Sequence, residues 1–274
     1  MRRWVSLFAL AGTLTACGPS ACSKQPDPEP TATATPNPTE TASASASATS
    51  NGARAVSEET DDFLFEYSYP AEAGRIPELA TLLDVQLAEQ REGLADEARE
   101  ARSEARQDGF PYNKHSYSAE WKIVTDTPNF LSLSNDISTF GGGAHGNYTV
   151  ESLVWDKKAE QAFDAKKLFA SPMALYDALS ERFCAALNRE RGKRREEPVA
   201  ADSDDQFDQC PGIDELEVLV GSSNHRTFNR LTLYAGPYVA GPYSEGAYEI
   251  DINIDRAILG AVKPEYREAF SARN

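Results

Sequence analysis

The chain is short of the residues on which most enzymes and metal proteins depend: among 274 residues there are three histidines, four cysteines and two methionines. His115, His145 and His225 stand on three separate segments, so a histidine-rich metal site would need all three to converge with an acid such as Asp136. Catalytic zinc sites usually show at least one close ligand pair, and none is present. No GxSxG, HExxH, P-loop or dinucleotide fingerprint occurs, which removes the common hydrolase, zincin and nucleotide-binding signatures. Neither an enzyme nor a cofactor is expected. Basic residues are also scarce, 27 against 43 acidic ones. The resulting field repels nucleic acid and anionic lipid and favours basic partners.

Long hydrophobic runs are missing as well. The longest, Trp4 to Leu14, is too short to span a bilayer as a permanent helix and follows the basic pair Arg2-Arg3, which reads as an export signal over residues 1–16. The signal ends in Leu14-Thr15-Ala16-Cys17, which resembles the bacterial lipobox. That resemblance implies a lipoprotein whose Cys17 carries diacylglycerol and a further acyl chain such as palmitate, enough to hold the chain on a membrane that it does not span. The alternative is an ordinary secretory signal cleaved nearby. Gly18 follows the cysteine in place of Asp, so in a Gram-negative cell the expected location is the periplasmic side of the outer membrane. Loss of Arg2 and Arg3 leaves 25 basic residues against 43 acidic, a net charge of about −18.

Residues 17–57 continue as Pro, Thr, Ala, Ser and Glu with no apolar period, and are expected to form a disordered tether. Cys22 within it has no expected partner. Cys184 and Cys210 lie in the remainder, where an exported protein can keep them oxidised. A bridge between them would close a loop of roughly 27 residues, worth about 3.5 kcal/mol in the loop-entropy model; the alternative is two buried free thiols.

From residue 58 the pattern becomes that of a packed domain. FLFEYSYP, residues 63–70, alternates Phe63, Phe65, Tyr67 and Tyr69 as a half-buried strand does. Leucines at 79, 83, 87 and 94, then alanines, step by three or four through a helix from about Pro77 to Gln107, closed by Gly109, with acids and arginines paired on its solvated face. Three alternating runs, HSYSAEWKIVTDT, NFLSLSNDIST and NYTVESLVWD, predict an antiparallel meander whose second connection is the glycine run 141–143. Ser171-Pro172 caps a second helix to about Arg191, closed by Gly192. Three more strands follow near 216–220, 230–234 and 248–254, then a short helix at 255–259. Blocks of strands and helices without βαβ alternation argue for an α+β fold, with antiparallel sheet or sheets packed against one long and one medium helix.

The polar loop 193–214 is rich in acids and invites a calcium reading. An EF-hand loop starting at Asp202 would need Gly at its sixth position and an acid at its twelfth, where Phe207 and Ile213 stand instead.

Two glycine-rich stretches are candidates for function. In STFGGGAHGNYTV, residues 138–150, glycine suits a turn with positive φ and a close backbone approach, and His145 beside it is available for hydrogen bonding or, with a carboxylate from another strand, for acid–base chemistry. In AGPYVAGPYSEGAYEIDI, residues 235–252, tyrosines among glycines are typical of recognition surfaces, although they also serve to cover a core edge. The first motif, Gly142-Gly143-Ala144-His145 with Asn147 and the DAKKLF turn at 164–169, resembles the domain that accompanies the peptidoglycan deacetylase PdaC. The second, Tyr238 through Tyr243, Glu245, Gly246 and Tyr248 to Ile250, with Val262-Lys263-Pro264-Glu265-Tyr266, is similar to the extracellular part of the anti-sigma factor RsiV.

The resemblance spans roughly residues 60–270. It implies an α+β region with a PdaC-like part at 58–170 and an RsiV-like part at 171–274, bound to the envelope and recognising a lysozyme-type protein or peptidoglycan. The implied binding residues are Gly142, Gly143, His145, Asn147, Tyr238, Tyr243 and Tyr248. The deacetylase chemistry of that family sits on a separate domain that this chain lacks. Nor does it carry RsiV's membrane-spanning helix or sigma-binding segment. A hydrolase using His145 with a carboxylate is the alternative reading, and a structural lipoprotein without a ligand is a third.

Overall fold

Phe63–Tyr69 (β3) buries Phe63, Phe65, Tyr67 and Tyr69 on one face, as its alternation predicts. The computed structural model describes residues 46–200 and 202–273; the signal segment, Cys17, Cys22 and the tether as far as residue 45 lie outside them. Residues 46–57, expected to belong to a disordered tether, are instead part of a strand hairpin. Ala46–Ser50 (β1) and Ala53–Glu59 (β2) form an antiparallel hairpin, β2 pairs with β3, and Val56 is buried. Small and polar residues hid this hairpin from a compositional reading. Its signal was local: Asn51 and Gly52 take φ of 52° and 96°, the left-handed conformations of a two-residue turn that matches strand twist.

A one-turn helix, Ala71–Gly74 (α1), leads into Pro77–Asp108 (α2), which starts on Pro77 and is capped by Gly109 at φ 73°. Leu79, Leu83, Leu87, Leu94 and Ala98 are its buried stripe. Because α2 carries the chain back over the sheet, β3 pairs parallel with His115–Asp126 (β4). This is one βαβ unit in an otherwise antiparallel sheet. Phe130–Phe140 (β5), Asn147–Asp156 (β6) and the short Gln161–Phe163 (β7) complete the order β1-β2-β3-β4-β5-β6-β7.

The meander separates two cores by parity. On β5, Leu131, Leu133 and Ile137 pack with Trp121, Leu153, Trp155 and the leucines of α2. Phe130 and Val154, of opposite parity, join a second core with Pro172–Arg195 (α3) and a three-stranded antiparallel sheet ordered β10-β9-β8. Its strands are Glu217–Gly221 (β8), Arg230–Ala235 (β9) and Tyr248–Asn253 (β10), followed by Arg256–Ala261 (α4) with Asp255 as N-cap. Strand β8 packs against β4, β5 and β6. Ser132 and Ser134 share the parity of Phe130, so the face of β5 turned towards this second core is the one with the small side chains.

The Ser171 hydroxyl accepts from the Ala174 amide at 3.0 Å, as its capping position predicts. The helix does not stop at Gly192, however. It runs one turn further and its left-handed cap falls on Glu196, φ 59°. The returning chain lies against Gly192, where a Cβ would meet the Glu197 carbonyl at 3.3 Å. Cys184 and Cys210 form a disulfide, with Cα atoms 5.6 Å apart, and tie the polar loop to the middle of α3.

Candidate functional site

The connection between β5 and β6 is shaped by two glycines. Gly142 takes φ 80°, and its carbonyl accepts from Asn113 Nδ2 at 2.8 Å. Gly146 is needed for a different reason: a Cβ there would lie 2.9 Å from the Thr139 carbonyl oxygen, closer than such atoms approach. The turn that results carries His145 outward, exposed, with Nδ1 2.8 Å from the Gly146 carbonyl.

There it meets the second glycine-rich loop. The His145 ring stacks on Tyr243 with centroids 4.1 Å apart and planes 27° from parallel. Its Nε2 is 3.3 Å from the Tyr238 hydroxyl, and the Tyr243 hydroxyl donates to the Gly146 carbonyl at 2.7 Å. Tyr148 stands edge-on to Tyr243 at 6.2 Å, and its hydroxyl accepts from the Ala247 amide at 3.1 Å. A Cβ on Gly246, φ 73°, would touch that hydroxyl at 3.0 Å. Tyr238 is 53% exposed and itself held at φ 68°, a conformation that costs energy for a bulky residue and persists only where the surroundings impose it.

The tyrosine loop is clamped from behind by the last turns of α3. Arg194 Nη1 donates to the carbonyls of Glu245 (2.6 Å) and Ala247 (2.8 Å), and Arg195 Nε to the Glu245 carboxylate at 2.9 Å. Arg195 also pairs with Asp208, whose carboxyl is held below the usual aspartate range by the Ser203 hydroxyl and by Arg195. Arg191 is completely buried and donates to the carbonyls of Ala240, Asp208 and Gln209 and to Asn188 Oδ1. Burial lowers its pKa. One helix end thus fixes the disulfide loop and the tyrosine loop together.

The residues singled out from sequence separate into groups. His145, Tyr238 and Tyr243 converge. Asn147 is exposed at the start of β6, opposite Thr139. A Cβ on Gly142 would face Asn113 and His115, while one on Gly143 would meet nothing within 4 Å. Tyr248 does not join the exposed rings: it is fully buried, Arg194 covers its ring at 3.9 Å, and its hydroxyl bonds Glu245. Burial first, then the Glu245 carboxylate, pushes the Tyr248 phenol up to about 12.

The histidines do not gather. His115 is buried beside Tyr112, His225 sits in a turn at φ 54°, and Asp136 pairs with Lys122 at 2.6 Å. Among the described residues no group of three or more His, Cys, Asp or Glu side chains is placed to hold a metal ion, and no carboxylate hydrogen-bonds the His145 ring. Sequence reading missed Tyr148, Gly146, Gly246 and the three arginines. The spacing Arg191-x-x-x-Arg195 was visible, but in a run as charged as NRERGKRR it reads as a solvated face.

Residues 56–148, from β2 to the start of β6, match the family model described as Deacetylase PdaC. That segment is similar to the PdaC family, and the glycine–histidine motif lies inside it. Solved structures similar to the chain include the following two. One is a DUF3298 family protein from Pseudomonas aeruginosa PAO1, 17% identical, covering 81% of this chain and 97% of that one, with a TM-score of 0.48. The other is a DUF3298 family member from Bacteroides fragilis NCTC 9343, 13% identical, covering 81% of this chain and 98% of that one, with a TM-score of 0.49. No curated protein matches the chain in sequence.

Proposed function

We propose that the protein is a lipid-anchored envelope receptor, acylated on Cys17 and held on a tether, whose His145, Tyr148, Tyr238 and Tyr243 surface binds a muramidase-type protein. The observation that supports this reading is the meeting of two loops 93 residues apart in one aromatic group, with His145 and Tyr238 exposed and Tyr243 stacked beneath them. Rigid rings offer contact area at low entropic cost. The net charge of about −18 after loss of Arg2 and Arg3 favours a basic protein over the glycan of peptidoglycan. The acid–base alternative needs a carboxylate on the His145 ring, whose nitrogens face a phenol and a carbonyl instead.

Pull-down with a lysozyme-type enzyme and with isolated sacculi, at low and moderate salt, tests the proposal. Retention of the enzyme, lost in Tyr243→Ala, is the expected result. Retention of sacculi alone would shift the ligand to glycan, and retention of neither would remove the receptor reading. Labelling with a radioactive fatty acid, present in the wild type and absent in Cys17→Ala, tests the anchor separately.

A further inference from the structure

Among the described residues, the outer edge of β6 is unpaired over most of its length. Strand β7 pairs only with Val154–Asp156, and the chain then turns away at Asp164, the N-cap of a short 3-10 turn. The Lys157 amide donates to the Asn129 carbonyl, and the β5–β6 register is continuous from Phe130/Asp156 to Thr139/Asn147. Odd-numbered residues of β6 therefore aim both backbone groups at β5, and even-numbered ones aim outward. Tyr148, Val150 and Ser152 are left with amides and carbonyls for which the described residues provide no backbone partner.

Natural sheet edges are usually blunted by lysine, proline, a bulge or a covering segment. Asn147–Leu153, NYTVESL, has neither residue, its register shows no bulge, and Asn147, Thr149 and Glu151 are exposed. Tyr, Thr and Val there are strong strand formers. Around Ser152 the edge opens into a cleft of about 400 Å³ lined by Trp121, Glu151, Ser152, Phe163, Asp164 and Glu217, among others. Carboxylates thus flank the edge from β6, from β8 and from the point where β7 departs. The neighbouring Lys166 directs its Nζ to the Leu216 carbonyl at 2.7 Å, and the Ser152 hydroxyl is buried beside the Glu217 carboxylate.

We infer that this edge accepts an extended, basic segment of a partner protein as an added strand. Three outward-facing residues supply the main-chain ladder that gives such docking its affinity, and Glu151 and Glu217 select lysine or arginine at alternate positions of the incoming strand. This site is the strand edge and not the aromatic rings, so it stands or falls apart from the receptor reading above.

The test uses the full chain labelled with nitrogen-15 and an acetylated, amidated heptapeptide alternating lysine and valine. In the free chain the amides of Tyr148, Val150 and Ser152 should exchange with solvent quickly, while those of Thr149 and Glu151 are protected. Saturating peptide should slow exchange at the first three by about tenfold or more. Two versions of the peptide, N-methylated at alternate residues in opposite phase, act as a control on the ligand side: one should bind and the other should not. Replacing its lysines by glutamate should weaken binding by about tenfold or more, which is 1.4 kcal/mol.

Val150→Pro removes an amide that makes no bond within the fold, so it should leave thermal unfolding nearly unchanged and abolish binding; Tyr243→Ala should bind the peptide normally. No slowing by any peptide overturns the proposal, as does equal binding of the lysine and glutamate versions. Protection of the three amides that grows with protein concentration alone would overturn it in favour of pairing with a second copy.

Discussion

Replacing Arg191 by methionine probes the clamp behind the tyrosine loop with little change in side-chain length. The arginine is 0% exposed and its donors lie 2.8 Å from the Ala240 carbonyl, 2.8 Å from Asn188 Oδ1, 3.0 Å from the Asp208 carbonyl and 2.9 Å from the Gln209 carbonyl. Hydrogen bonds to a charged group are worth about 1.5–3 kcal/mol each, so four of them sum to roughly 6–12 kcal/mol. Relief of the guanidinium's desolvation returns several kcal/mol. The balance is a loss of about 3–5 kcal/mol, and for a domain of this size each kcal/mol moves the melting temperature by about 2–4 °C. Calorimetry at pH 7 should therefore place Arg191→Met at least about 6 °C below the wild type. Arg99→Met serves as the control, since Arg99 pairs with Asp96 on the exposed face of α2, and should shift by no more than about 2 °C. If Arg191→Met melts within that same 2 °C, the three carbonyls do not depend on the arginine and the clamp is wrongly assigned.

Three further outcomes follow from the same geometry. Replacing both Cys184 and Cys210 by alanine should cost about 2–4 kcal/mol in urea unfolding. Because Cys210 follows Asp208 and Gln209, which carry two of the three carbonyls that Arg191 holds, its loss combined with Arg191→Met should be less than additive. Gly143→Ala should leave unfolding nearly unchanged, whereas Gly146→Ala should cost about 1–3 kcal/mol, because its Cβ collides with the Thr139 carbonyl and displaces His145 from Tyr243; lysozyme-type binding and the melting temperature report the two effects. For Glu217, burial raises the carboxyl pKa above its ordinary 4.5 and Lys166 only partly opposes it. The folded state then holds that proton more tightly than the unfolded one, so its contribution improves as pH falls through the raised value and is least favourable above it. Glu217→Gln should accordingly raise the melting temperature at pH 7 and lose that advantage below about pH 4; an equal gain at both pH values would refute the assignment.

Much of this fold was legible because local patterns and tertiary packing agree. The alternation of Phe63 to Tyr69, the leucine steps of α2 and the meander from His115 to Asp156 each announce the face they bury. The hairpin β1–β2 was not, since Ala, Ser, Thr and Glu carry no apolar period, and only Asn51-Gly52 pointed to it. The parallel pairing of β3 with β4 was hidden for another reason: periodicity tells which residues share a face and is silent on which strand lies beside which. The site follows the same division. Each glycine-rich loop could be read as a turn, but the stacking of His145 on Tyr243 joins segments 98 positions apart by number and belongs to the tertiary structure alone.

That tertiary structure also assigns the tyrosines different duties. Tyr248 stands in the same GPYSEGAY run as Tyr243, yet it lies under Arg194 and bonds Glu245, so its work is to seat the loop. Tyr243 is fixed by the Gly146 carbonyl, Tyr148 by the Ala247 amide, the loop backbone by Arg191 and Arg194, and the Glu245 side chain by Arg195. The rings are therefore ordered before anything touches them. A partner meeting this surface loses little conformational freedom on the protein's side, and the entropic cost of immobilising rotamer-rich side chains, about 0.5–1.5 kcal/mol each in a flexible interface, is largely avoided. Loosening the clamp should then weaken binding without removing a single contact atom. Arg195→Met, which frees Glu245 while leaving all four rings in place, should lower affinity for a lysozyme-type partner mainly through slower association, as the bound arrangement becomes one of several that the free loop visits. Surface plasmon resonance separates the two rates, and an unchanged association rate would show that the arginine network stabilises the fold without ordering the surface.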